Sequence, residues 1–226
     1  MTKVVVDIET IGFDFEIFEK KIQEYLLKYA KDDADGEEIK KQLGLSPLTG
    51  EVVTIGMLNP ETGMGRVLFQ NKEEEKIEFE EKGLKYISGT EKVILEKFWE
   101  LIKNYDQVIT FNGRNFDGPF LSLRSAKYRI NPTKNLFGYR YSYKKHCDLL
   151  EQLTFYGATR RYSLDFYAKF FGIKSSKKDG IDGSMVDKLY QEGKYLEIAR
   201  YCARDLATTA ELYEYWNKYL KFLEYV

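Results

Sequence analysis

The chain has 226 residues, of which 43% are hydrophobic and 31% charged, with only 4 prolines. This length predicts one large domain, or one domain with an insertion, and the composition excludes a disordered or collagen-like chain. Lys and Arg number 35 against 36 Asp and Glu, so the net charge neither demands nor forbids a polyanionic partner.

The apolar runs are short, and acidic side chains at Asp7 and Glu9 interrupt the N-terminal run. We therefore expect neither a membrane-spanning segment nor a signal peptide. The two cysteines, Cys147 and Cys202, lack the spacing of a metal site, which favours reduced thiols and a cytoplasmic location.

Hydrophobic periodicity divides the first half of the chain into strands and a few helices. We expect Asp32–Gly36 to break the first helix, and the charge run 73–82 to be a solvated connection. The predicted elements are a strand at 3–8, a helix at 15–29, a helical turn or two at 37–43, a hairpin of strands at 52–58 and 66–70, a helix at 91–105 and a strand at 107–111.

The second half of the chain has helical spacing almost throughout. Its predicted helices span 116–128, 148–156, 164–171, 185–191 and about 195–220. Strands followed by helices predict an α/β or an α+β fold, with a central mixed β-sheet flanked by α-helices. We expect a single domain over residues 1–226, with a helical insertion at about 12–50.

Two acids, Asp7 and Glu9, stand two residues apart at the end of the first predicted strand. Side chains alternate across a strand, so both carboxylates point to the same face. Like charges this close repel each other, and burial increases the cost. The pattern is common by itself, and a polar strand edge is its ordinary interpretation.

The last helix has an acid on the side that should be buried. Its apolar stripe consists of Ile198, Cys202, Thr209, Leu212 and Trp216. Asp205 falls in the gap of this stripe, and Tyr201, four residues earlier, lies beside it on the same face. A buried carboxylate needs a partner or a metal, and Arg200 or Arg204 could supply the partner.

A third acid, Asp117, follows the strand that ends at Phe111 and the turn at Asn112-Gly113. Helix N-termini favour negative charge, so Asp117 could also be a capping residue.

Four carboxylates and one phenol on three elements indicate a metal site when they are taken together. Oxygen ligands suit Mg²⁺ or Mn²⁺, and the single histidine, His146, cannot build a zinc site. The four acids carry a charge of about −4, which two divalent cations would nearly neutralise, and such pairs of metals serve phosphodiester hydrolysis.

These motifs resemble those of the 3′–5′ exonucleases of the Asp-Glu-Asp-Asp (DEDD) superfamily, whose fold is ribonuclease H-like. Its motif D-x-E matches residues 7–9, its motif ending in (F/Y)-D matches 112–117, and the Y-x-x-x-D of its tyrosine branch (DEDDy) matches 201–205. Arg200 stands where the histidine branch has its histidine. Segments 146–158, 162–173 and 178–186 are similar to the stand-alone, family-B DNA polymerase-like exonucleases, and the likeness covers nearly the whole chain.

The resemblance implies a metal-dependent 3′–5′ exonuclease that hydrolyses single-stranded nucleic acid, DNA rather than RNA, to nucleoside 5′-monophosphates. Asp7, Glu9 and Asp205 would hold one Mg²⁺ or Mn²⁺ ion, and Asp7 and Asp117 a second. Tyr201 would orient the attacking water, since a phenol is a poor base at neutral pH.

The resemblance also implies contacts to a strand with a free 3′ end. Glu9 and the Thr10 backbone would meet the terminal 3′-hydroxyl, and Asn112 and Phe116 would touch the terminal nucleotide. Lys178 could neutralise the scissile phosphate, although a solvated lysine is its ordinary interpretation.

Residues 122–147 contain no acid and alternate cations with aromatic rings, which favours a single-strand groove or, equally, a solvated basic face. Two other functions stay open, a nucleic-acid-binding module without turnover and a two-metal phosphodiesterase directed at RNA. The sequence indicates no membrane partner and identifies no protein partner.

Overall fold

The computed structural model of the chain describes residues 1–72, 76–174 and 183–221. The expected phosphate contact, Lys178, and most of segment 178–186 lie outside the described residues. The described strands are β1 (Lys3–Gly12), β2 (Gly50–Leu58), β3 (Gly65–Gln70), β4 (Glu78–Glu81), β5 (Leu84–Gly89), β6 (Gln107–Thr110) and β7 (His146–Asp148).

The strands form one sheet in the order β4-β5-β3-β2-β1-β6-β7. β1 pairs antiparallel with β2 and parallel with β6, so the sheet is mixed. The described helices are α1 (Lys20–Leu26), α2 (Asp33–Lys41), α3 (Glu91–Ile102), α4 (Asp117–Lys127), α5 (Leu149–Leu153), α6 (Leu164–Phe170), α7 (Val186–Gln191) and α8 (Tyr195–Tyr219).

Both faces of the sheet are covered, and alternation along β1 assigns its side chains to the two sides. Val4 and Val6 share one core cluster with residues of α3 and α4, such as Phe98. Val5 shares the other cluster with residues of α8, such as Leu206. Asp7 and Glu9 have the same parity as Val5, so β1 presents both carboxylates on the side of α8. The prediction of an α/β fold with a mixed sheet flanked by helices is confirmed.

The predicted hairpin is confirmed, because β2 and β3 pair antiparallel and the Asn59 N–H donates to the Met64 carbonyl at 2.9 Å. Three strands were not predicted from the sequence: β4, β5 and β7. Part of the charge run expected to be a connection is β4, at the edge of the sheet, where acids tolerate solvent. Its Phe79 points inward and stacks on Tyr86 of β5 at 4.8 Å.

The segment between β1 and β2 also differs from the prediction. A 3-10 helix at Phe15–Ile17 and an extended Phe18 replace the first turns of the expected helix. The expected break exists but lies earlier, because α1 ends at Leu26 and the Asp32 side chain already caps α2 by accepting the Asp35 N–H at 2.9 Å. Gly36 is buried inside that helix. We retain the division into one domain with a helical insertion at about 12–50 as a proposal.

Among the described residues, no helix combines the length and the apolarity needed to cross a membrane.

Candidate active site

The first two acids of the site lie on β1, next to a shift in the register of its pairing with β2. Asp7 pairs with Gly56 and Glu9 with Thr54, and the register shifts directly after Glu9. Bulges of this kind re-aim side chains next to functional sites. One carboxylate oxygen each of Asp7 and Glu9 and the Cys202 sulfur all lie within 4.8 Å of one another.

α8 reaches this strand end because β2 has a glycine there. A Cβ atom added at Gly56 would lie 2.7 Å from the Cys202 Sγ and 2.6 Å from the Leu206 Cδ1. The absent side chain lets α8 pack directly against the backbone of β2. Tyr201 and Asp205, on the same helix, are therefore carried to the end of β1.

Tyr201 is buried beside Asp205, and its hydroxyl donates a hydrogen bond to that carboxylate. Burial raises the pKa of the Tyr201 phenol, and the negative charges of Asp205 and Glu9 raise it further. The phenol therefore stays protonated at neutral pH.

Asp117 enters from the first turn of α4 and is buried. Burial raises the pKa of Asp117 to about 7, although hydrogen bonds from its own N–H and from the Ile8 N–H lower it. Asp117 lies outside the tight group of Asp7, Glu9 and Cys202, but it is close enough to raise the pKa of both acids.

The acids repel one another in a buried setting. Burial raises the pKa of Asp7 well above its usual value, and Glu9, Asp205 and Asp117 raise it further, in that order. Burial and the charges of Asp205 and Asp117 do the same to the pKa of Glu9. The Asp7 Oδ2 atom is shielded from solvent and has no hydrogen-bond partner among the described residues.

This donor set fits divalent cations. Carboxylate oxygens are the preferred ligands of Mg²⁺ and Mn²⁺, and a cation would both satisfy the Asp7 oxygen and cancel the repulsion. The Cys202 Sγ lies 3.7 Å from the Asp7 carbonyl oxygen, and burial, together with the negative charge of Asp7, raises the pKa of the thiol. It therefore stays protonated, and only the acids offer charged ligands.

The arginine pairing considered for Asp205 is not found at Arg200. The Arg200 guanidinium binds Glu81 on β4 at 2.9 Å. The Arg204 guanidinium lies 5.7 Å from the centre of the Tyr201 ring.

A cavity of about 1020 Å³ opens from Glu9 and is lined by Thr10 and Phe116 on the side of the sheet. Its other walls include Lys40 of α2 and Lys188 of α7. The Thr10 hydroxyl donates to the Gly44 carbonyl at 2.7 Å and so ties the strand end to the segment between β1 and β2. That segment therefore forms a wall of the cavity, which its sequence did not indicate.

A buried acid that the sequence analysis missed holds the loop of Asn112. Asp148 accepts the Asn112 N–H at 2.9 Å and the Arg114 N–H at 3.0 Å. Asn112 is in the left-handed region at φ 64°, a conformation that such fixed hydrogen bonds stabilise. No local sequence pattern marks this role, because the strand that ends at Asp148 has only three residues.

The basic segment 122–147 is only partly a surface. Arg124 is buried and pairs with Glu91 at 2.6 Å, so it belongs neither to an exposed groove for a single strand nor to a solvated basic face. Lys134 donates to the Tyr105 carbonyl and is half-buried. Tyr139 and Tyr141 are exposed, with their rings 5.9 Å apart.

Two comparisons relate the chain to known proteins. A family model described as a predicted 3′–5′ exonuclease related to the exonuclease domain of PolB matches residues 67–223. The matched span contains Asp117, Tyr201 and Asp205, whereas Asp7 and Glu9 precede it.

A similar solved structure is the family B DNA polymerase of the hyperthermophilic archaeon Pyrobaculum calidifontis. It matches 95% of this chain with a TM-score of 0.61 and 18% sequence identity. The chain spans about a quarter of that polymerase, since the match covers 24% of its length. At this identity the likeness concerns the fold, and it agrees with the ribonuclease H-like expectation.

Proposed function

Because the chain belongs to the family of predicted 3′–5′ exonucleases related to the exonuclease domain of PolB, we propose that it shortens single-stranded nucleic acid from the 3′ end. Nucleoside 5′-monophosphates are the product, and DNA is preferred to RNA. The observation that carries the proposal is the meeting of four acids from β1, α4 and α8, with an oxygen on Asp7 that is shielded and has no hydrogen-bond partner in the described parts of the chain.

The acids divide between two cations of the Mg²⁺ or Mn²⁺ type. Asp7, Glu9 and Asp205 would hold one ion, and Asp7 and Asp117 would hold the other. When bound, two such ions activate the attacking water and stabilise the leaving 3′ oxygen. The raised pKa values of Asp7 and Glu9 support this assignment, because acids that repel one another gain most from a bound cation.

Tyr201 acts as a hydrogen-bond donor. Its raised pKa leaves the phenol protonated, so it cannot accept a proton from water at neutral pH. Its O–H donates to the Asp205 carboxylate, which holds the hydroxyl at the acids, and its oxygen accepts a hydrogen bond from the hydrolytic water and so orients it.

The terminal nucleotide binds in the cavity that opens from Glu9. Glu9 and the Thr10 backbone meet the 3′-hydroxyl, and Asn112 and Phe116 contact the nucleotide. Phe116 is suited to this role because its ring lines the cavity and is braced by Phe120, with ring centres 5.0 Å apart. We assign Lys178 to the scissile phosphate from the sequence likeness alone. A cytoplasmic location remains a prediction from the thiols.

The test is the shortening of a 5′-labelled single-stranded DNA and of a matching RNA with Mg²⁺, Mn²⁺ or EDTA. We expect a ladder of products in steps of one nucleotide, and its loss with EDTA and in Asp7→Asn. Asp106→Asn is the matched control, because Asp106 is exposed at the start of β6 and accepts hydrogen bonds from Thr2.

Three outcomes separate the possible functions. Unchanged shortening by Asp7→Asn and by Asp205→Asn would contradict the assignment of the site. Strand binding without any shortening would favour the module without turnover. Shortening of RNA alone would favour the phosphodiesterase directed at RNA.

A further inference from the structure

The outer face of α6 carries aromatic rings where a surface helix ordinarily has polar side chains. Its inner face packs Leu164, Tyr167 and Ala168 against the core or its margin. Phe166 and Phe170, four residues apart on the outer face, are 52% and 75% exposed. Large exposed rings on one face of a soluble domain mark a binding surface.

A third ring extends this face beyond the start of the helix. Tyr162 stacks on Phe166 with ring centres 4.4 Å apart and planes 13° apart. The Arg160 guanidinium lies 5.3 Å from the centre of the Tyr162 ring. We call Arg160, Tyr162 and Phe166 the α6 aromatic stack.

The backbone of the stack is fixed. The Ser163 hydroxyl caps α6 by accepting the Phe166 N–H at 3.3 Å. The Tyr162 ring also makes an edge contact with Tyr167 on the inner face, with centres 6.2 Å apart. The rings are therefore held in place before any ligand arrives, which lowers the entropy cost of binding.

The stack lies near the elements that carry the candidate active site. Tyr167 touches Phe111 with ring centres 6.0 Å apart, and Phe111 directly precedes Asn112. Beyond the end of α6, the Lys174 carbonyl accepts a hydrogen bond from the Thr208 hydroxyl at 3.3 Å. Thr208 is three residues from Asp205 on α8. The middle of α6 and the segment that follows it thus contact elements that carry the site.

The charge around the stack suits a polyanion. Residues 155–174 contain four cations, Arg160, Arg161, Lys169 and Lys174, and a single acid, Asp165. Lys169 pairs with that acid at 2.8 Å, whereas Arg160 and Arg161 are exposed. Rings that offer their faces beside arginines bind bases and phosphates of single strands without regard to sequence.

We propose that the α6 aromatic stack binds a base of the single strand upstream of its 3′-terminal nucleotide. The base stacks on Phe166, and Arg160 and Arg161 contact the neighbouring phosphates. The position of this base relative to the 3′ end rests on the proposed function, but the binding itself does not require hydrolysis.

The test uses a tryptophan reporter in EDTA, with Asp7→Asn in every protein so that no strand is shortened. The two natural tryptophans, Trp99 and Trp216, are buried, so Phe166→Trp adds one exposed indole. We expect single-stranded DNA to quench its emission by stacking. Tyr219→Trp is the matched control, because Tyr219 is also exposed on a helix and also has a cation, Lys218, 4.8 Å from its ring centre.

A second pair of variants measures the contribution of the ring to affinity. Phe166→Leu keeps the apolar surface and removes the ring, and we expect it to bind a labelled single strand about 5- to 150-fold more weakly, the range for one base stack. Phe166→Tyr should restore binding, and Tyr219→Leu should leave it unchanged. Equal quenching at both positions, or unchanged binding by Phe166→Leu, would overturn the proposal.

These measurements separate the failure of this proposal from the failure of the proposed function. If the wild type shortened no strand but the binding of the strand still depended on the Phe166 ring, the proposal for the α6 aromatic stack would be supported and the proposed exonuclease function contradicted. If the wild type shortened strands but binding did not depend on the ring, the exonuclease function would be supported and the proposal for the α6 aromatic stack contradicted. A change in sedimentation with Phe166→Leu and no change in strand affinity would assign the surface to contacts between two copies of the chain, against the proposal.

Discussion

Burial of Asp117 favours its protonated form, whereas the proposed binding of a cation requires the ionised carboxylate. Its pKa is raised from 3.8 to about 7, so the folded chain holds a proton there that the unfolded chain releases at lower pH. A carboxyl with a raised folded pKa loses stability as the pH rises from its unfolded value through its folded value. At pH 8 the ionised group therefore opposes folding unless a cation compensates.

The variant Asp117→Asn should be more stable than the wild type when metals are removed. In EDTA we expect its free energy of unfolding at pH 8 to exceed that of the wild type by up to about 4 kcal/mol, at 1.36 kcal/mol per pKa unit. The gain should be smaller at pH 5, where Asp117 is largely protonated in the fold. Urea unfolding at both pH values measures this gain in stability, with Asp106→Asn as the control. A gain that becomes smaller as the pH rises would refute this account.

Tyr201 contributes a hydrogen bond, not a charge. Tyr201→Phe should therefore reduce kcat about 10- to 150-fold, the effect of about 1.5–3 kcal/mol for one hydrogen bond at a charged group, and should leave Mn²⁺ binding intact. Single-turnover shortening of a labelled strand measures the rate. A complete loss of turnover with normal Mn²⁺ binding would assign the phenol a larger role than orientation.

At the scale of elements, the contact of α8 with β2 decides whether the acids meet. Gly56 lies opposite Asp7, and its missing side chain leaves room for Cys202 and Leu206. Asp205 and Tyr201 reach the end of β1 only at this close helix–strand distance. A shift of α8 would therefore move Asp205 away from Asp7 and Glu9, although the sequence would still contain all of these acids.

Gly56→Ala should move α8 away from the sheet, because its Cβ would lie within 3 Å of both neighbouring side chains. We expect a loss of about 1–3 kcal/mol in stability, as for other overpacked cores, together with weaker Mn²⁺ binding. Urea unfolding and Mn²⁺ titration test this. The control is Gly36→Ala inside α2, whose Cβ would meet Leu27 at an ordinary 3.7 Å and should stabilise the helix. Equal effects of both variants would argue against the packing role.

The sequence predicted the elements whose side-chain pattern is local. The parity of Asp7 and Glu9 with Val5 follows from strand alternation, and the phase of Asp205 follows from helical spacing. β4 and β7 could not be predicted in this way, because a charged edge strand and a three-residue strand have no distinct period. The roles of Gly56 and Asp148 depend on contacts between segments that are distant in the chain, so no local pattern reports them.

At the scale of the whole molecule, cation binding and folding stability are linked. A ligand that binds only the folded chain raises its stability. Protons compete with cations for Asp7, Glu9 and Asp117, whose pKa values are all raised. The stabilisation by a cation should therefore increase with pH.

We expect the thermal midpoint with Mn²⁺ to exceed the midpoint in EDTA by more at pH 8 than at pH 5.5. Asp7→Asn should show little difference between Mn²⁺ and EDTA at either pH, because it removes the carboxylate assigned to both ions. Scanning calorimetry at the two pH values provides the measurement. A shift that is larger at pH 5.5 would contradict the linkage to the acids.

The most direct test of the central claim is the number of Mn²⁺ ions that the chain binds, counted by electron paramagnetic resonance of free Mn²⁺ during a titration at pH 8. The account predicts two ions per chain for the wild type, and a loss of binding in Asp7→Asn but not in Asp106→Asn. Binding of no ion by the wild type, or undiminished binding by Asp7→Asn, would contradict it.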